Sequence, residues 1–204
     1  IPSLVIKAFR KLATPSPRQT LLVEAALQAL YVIAESAHSL QRFDDFSAVA
    51  PHARKLIDDL RERVITQEDN TSEITGRIRL ALYLADLDLA HGAKEKATSL
   101  YRSVSAYLIR AMAFDPHNAS RQKDFARVQE QIGDLVSEQG NTQNALDHYR
   151  KSLGIRTFMS KQEGAPTDAC QDAIRLNNKI GNLQRRLGDA EAALQTQHAT
   201  HTLY

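Results

Sequence analysis

The side chains able to do chemistry are few, and their spacing argues against a catalytic centre. His198 and His201 stand three apart and would share a helix face as metal ligands, but no third ligand lies nearby in the sequence. His38, His52, His91, His117 and His148 are scattered and read as surface or capping residues. Asp44-Asp45 and Asp58-Asp59 are adjacent pairs, whose carboxylates diverge on a helix and read as solvated faces. Cys170 is the single cysteine and has no internal partner; it reads as a small buried hydrophobe. The chain has no Gly-rich phosphate loop, no HExxH, no CxxC and no nucleophile elbow. The expectation is a protein that is not an enzyme and binds no metal or cofactor.

Composition narrows the class further. The 26 basic and 24 acidic residues nearly cancel, which leaves little electrostatic attraction for nucleic acid. Hydrophobic residues make up 43% of the chain, enough for a continuous apolar spine. No run of 18 or more apolar residues suggests a membrane span, no secretory signal is visible, and the lone cysteine fits a reducing, cytoplasmic setting. The chain begins at Ile1 and is expected to be a piece of something longer.

The elements that would position any site repeat with a fixed period. Gly92, Gly140 and Gly188 are 48 residues apart, as are Ala97, Ala145 and Ala193, and Ala85, Gly133 and Gly181. Tyr101 and Tyr149 match at the same step, with Gln197 in the third copy. Each glycine falls just past a helical pattern, where a left-handed residue closes the helix. The small residues lie on facing sides of two helices and let the axes approach closely. The clearest copy is 126–155, two amphipathic helices joined at Gly140-Asn141.

These residues resemble the tetratricopeptide repeat family. The family's large-small pair in the first helix is matched by Leu84-Ala85, Ile132-Gly133 and Ile180-Gly181. Its second-helix Ala is matched by Ala97, Ala145 and Ala193, its following aromatic by Tyr101 and Tyr149, and its small-plus-Leu pair by Ser152-Leu153. Asp115-Pro116-His117-Asn118 looks like the family's closing DPxN. The segment from there through Ile155 is similar to a long-helix subtype common in bacterial multidomain proteins. The period of 48 departs from the family's usual ~34, and the surplus reads as longer helices. The resemblance implies an all-α fold, a right-handed superhelical solenoid of about four antiparallel helix hairpins.

In chain order, residues 1–17 form an N-terminal segment, with an amphipathic capping helix over 1–13 and a break at Thr14-Pro15-Ser16-Pro17. The repeat domain covers 18–204, with repeats at about 18–67, 71–114, 118–162 and 168–204. Pro51 predicts a kink or restart near 50–52, and Asn70 with Glu73 predicts a capping box. The second helix of the last repeat is expected to be cut short at Tyr204, leaving that repeat's apolar face without its natural cover.

The resemblance also implies a ligand-facing wall, since the first helix of each such repeat lines a concave groove. Carried over, that wall holds Arg79 and Asp86 in the second repeat, Arg127, Glu130 and Asp134 in the third, and Arg175, Asn178, Asn182 and Arg185 in the fourth, with Gln28, Tyr31, Glu35 and His38 in the first. Asn178 and Asn182 are one turn apart and carry both donors and acceptors, which suits an extended peptide backbone. The flanking arginines suit a carboxylate, while Glu35, Asp86 and Asp134 make the middle of the wall mixed in sign. The expected function is a non-catalytic protein-interaction module holding a partner protein or peptide, the recruiting or regulatory arm of a larger cytoplasmic protein. The alternatives are a scaffold that self-associates through its ends and, less favoured, an enzyme with a site between repeats.

Overall fold

A computed structural model of the chain describes residues 29, 32, 50–58, 71–161 and 167–201. Among them every regular element is a helix: α1 (Ala50–Ile57), α2 (Thr71–Ala90), α3 (Lys94–Phe114), α4 (Ala119–Glu138), α5 (Thr142–Ser160), α6 (Thr167–Arg186) and α7 (Ala190–His201). The expectations for 1–17, for the capping box at Asn70 and for the first repeat other than α1 lie outside the described residues. None of the described helices is long and apolar enough to cross a membrane.

The helices group into two units, divided between Phe114 and Asp115. In the first, α2 and α3 form a hairpin and α1 rests on α2. Pro51, where the sequence predicts a kink or restart, lies within α1 among the described residues. Arg54 reaches from α1 to Asp88 of α2 at 2.5 Å. The hairpin closes over Leu80, Leu84, Val104, Leu108, Tyr101 and Tyr107, all without measurable exposure.

In the second unit α4, α5, α6 and α7 pack in succession, each on the next. Asn118 accepts from the amide of Arg121 at 3.1 Å and caps α4, while its own side chain donates to Asp115 at 2.9 Å. Ile132, Val128, Leu146, Leu176 and Ile180 fill the space between the helices. At about 1.5–3 kcal/mol for each large apolar side chain buried, this spine holds the stack together.

The turn inside each hairpin is built the same way three times. Gly92, Gly140 and Gly188 have φ of 74°, 82° and 79°, the left-handed region that only glycine enters without a Cβ clash. Each donates to a carbonyl three residues back, and the next residue donates five residues back, as in Gly140 N to Ser137 O at 3.0 Å and Asn141 N to Val136 O at 3.1 Å. This pair of bonds satisfies carbonyls that the helix end would otherwise strand. Asn141 and Asp189, 48 residues apart, then cap α5 and α7 by accepting from Asn144 N at 3.2 Å and Ala192 N at 3.0 Å. The small residues beyond these turns, Ala97, Ala145 and Ala193, are all buried.

Candidate functional site

The α4–α5 hairpin shows what the repeat does with its polar residues. Gly133 is in contact with the ring of Tyr149, and a Cβ there would meet ring carbon Cε1 at 2.6 Å. The Tyr149 hydroxyl donates to Asp134 at 2.6 Å. Burial, then the bond to Asp134, holds the phenol well above the ordinary tyrosine range. Lys179 of α6 lies 5.4 Å from the ring centroid and donates to Asp134 at 2.6 and 2.9 Å.

Glu130, one turn earlier on α4, is only 3% exposed. Three cations neutralise it. Lys179 donates to it at 2.9 Å, Arg175 grips both of its oxygens, and Arg156 of α5 reaches it at 3.4 Å. Arg156 and Arg175 in turn hold Asp172, the latter at 2.9 Å. Three acids thus face three bases. Nearby, the fully buried Ser152 donates to the carbonyl of Ala126 at 2.7 Å.

This arrangement changes the part that several wall residues can play. Glu130, expected on the ligand-facing wall, is instead covered by side chains of α6, and a carboxylate so deeply buried is tolerable because three cations pair with it. Asp134 and Arg175 are committed to the same network. Asp86 accepts from the Tyr101 hydroxyl, one period before the Asp134–Tyr149 pair. Arg79 and Arg127 stand exposed. The network residues Arg156, Asp172 and Lys179 carry no motif that marks them in the sequence.

The last hairpin differs. Asn178, Asn182 and Arg185 of α6 line a crevice of about 270 Å³, with Gln197 and Thr200 of α7 opposite and Gly181 and Ala193 between. Arg185 donates to the side-chain oxygen of Asn182. The lining holds amides, one guanidinium and no carboxylate. Asn178 and Asn182 are exposed, whereas Asn177 beside them is buried. A second crevice of similar volume lies in the first unit, between Arg54 and Asp58 on one side and Lys96, Ser99 and Ser103 on the other. No group of three or more His, Cys, Asp or Glu among the described residues could hold a metal ion. Cys170, expected to be buried, is only half-buried.

No family model matches the chain, and no curated protein matches it in sequence. Among solved structures, the crystal structure of BtubC (BKLC) from P. vanneervenii is 14% identical, with a TM-score of 0.47 over 98% of this chain and 88% of that one. A likeness of that degree carries no inference about what this chain does.

Proposed function

We infer that the chain is a non-catalytic protein-interaction module, a solenoid of about four tetratricopeptide-like hairpins that holds a segment of a partner protein against α6. The observation that carries this reading is the crevice beside Asn178, Asn182 and Arg185, about 270 Å³ in volume and open to solvent. Small-molecule sites are mostly apolar. A crevice lined by amides suits part of a polypeptide better than a cofactor. Its side chains offer donors and acceptors for a peptide backbone and one guanidinium for a carboxylate.

The test is a random-peptide selection against the immobilised chain, followed by affinity measurements on synthetic copies of the selected peptides. Asn178→Ala with Asn182→Ala weakens those peptides severalfold, while stability stays within about 0.5 kcal/mol of the parent, as for exposed positions. Peptides that bind the double variant as well as the parent would remove this face from consideration.

A further inference from the structure

Building on that reading, we propose that the crevice between α6 and α7 takes an aromatic side chain, tyrosine or phenylalanine, from an acidic segment of the partner protein. The ring takes the place that Tyr149 occupies one hairpin earlier.

The first support is the register. Moving 48 residues from the α4–α5 hairpin carries Gly133 to Gly181, Asp134 to Asn182 and Tyr149 to Gln197. The floor for a ring is kept and the ring itself is gone. At Gly133 a Cβ would strike Tyr149, whereas at Gly181 the nearest atoms, of Ala193 and Thr196, stand 4.0 Å away. Gln197 lies at the edge of the open volume. A flat, rigid ring fills such a hole at little conformational cost, which is why aromatic anchors dominate binding energy where they are buried.

The second support is charge. The face of α4 that receives α6 carries Glu130 and Asp134, and α6 answers with Arg175 and Lys179. One period later those two acids are Asn178 and Asn182, and Ser137 has become Arg185. The face has two negative charges fewer and one positive charge more. A second copy of α6 would bring its cations to amides and to Arg185, so end-to-end stacking of this chain in the α6 manner is opposed. The complement is a segment with a carboxylate near its ring, and charge of that sign both speeds encounter and selects the partner.

The same peptide selection tests this with Gln197→Tyr, which supplies the missing ring from within and is expected to raise the melting temperature. Peptides selected on the parent carry Tyr or Phe at one position with Asp or Glu close by. The best of them loses about tenfold or more in affinity on Gln197→Tyr, on Arg185→Glu, and when its own ring is changed to Ala. The last measurement stands even if a protein variant folds poorly. Peptides that lack a ring, and that weaken on Asn178→Ala with Asn182→Ala yet ignore Gln197→Tyr, would overturn the aromatic inference and leave the interaction face intact. Peptides indifferent to the double variant, or no selected peptide at all, would overturn both. Sedimentation showing a dimer of the parent that Gln197→Tyr dissolves would make a second copy the occupant and also overturn the proposal.

Discussion

The Tyr149 hydroxyl donates to the Asp134 carboxylate at 2.6 Å across the two helices of one hairpin. Tyr101 and Asp86 make the same bond one period earlier. One period later both partners change together, to Gln197 and Asn182, and a crevice stands where the ring was. A paired substitution with a matching hole is a structural event, and four measurements probe the frame around it.

Ala145 has no exposed surface where α5 meets its neighbours, whereas Gln143 on the same helix is exposed. Ala145→Leu overpacks that crossing and costs about 1–3 kcal/mol, while Gln143→Leu changes stability by less than about 0.5 kcal/mol. Urea denaturation of the two variants reads the difference, and equal midpoints would undo the assigned packing.

Glu130→Gln removes the buried charge that Lys179, Arg175 and Arg156 share and leaves Arg156, which is 7% exposed, with Asp172 as its remaining acid. Losing all compensation of a buried charge costs about 3–5 kcal/mol, so with Asp172 still in place the cost falls to about 1–3 kcal/mol. Arg175 is half-exposed on the same network, so Arg175→Ala costs less than about 1 kcal/mol once solvent screening is counted. Denaturation midpoints that rank the two in the opposite order would mean that Arg175, and not burial, holds the cluster.

Tyr149 gives the fold an alkaline limit. Its phenol is raised in the folded protein by burial and by Asp134, and an unfolded tyrosine titrates near pH ~10. Because the folded value is the higher one, the stabilisation is complete below pH ~10 and falls as pH rises past it. Tyr149→Phe lacks that dependence, so melting temperatures of parent and variant converge between pH 9 and pH ~11. A constant gap across that range would exclude this residue as the cause.

Gly140 and Gly154 should respond to alanine with opposite signs. Gly140 holds φ at 82°, and a Cβ in that region costs about 1–2 kcal/mol. Gly154 lies inside α5 with nothing within 4 Å of an added Cβ, so Gly154→Ala gains about 0.5–1 kcal/mol. Thermal melts of the two single variants settle the signs.

Much of this was legible in the sequence because its signals are local. Gly92 marks the turn before residue 94 and Asp115-Pro116 the break after residue 114, so 94–114 could be read directly, and α3 runs Lys94–Phe114. Asn178, Asn182 and Arg185 could be grouped because they share one helix, and all three line the crevice. The ion network was not legible. Lys179 meets Glu130 across 49 positions and Asp134 across 45, and nothing near Lys179 separates a cross-helix partner from a solvated face. The available signal was the register: Tyr149 to Gln197 was visible, but its coupling to Asp134 and Asn182 emerges only when both columns are read together.

α7 rests chiefly on α6, with no comparable second neighbour among the described helices. Its amides should therefore exchange with solvent ahead of those of α4 and α5, through openings that leave the Glu130 cluster undisturbed. One side of the crevice is consequently a latch, and whatever enters slows its release. Deuterium uptake along 190–201 would register occupancy even where the main body of the protein is silent.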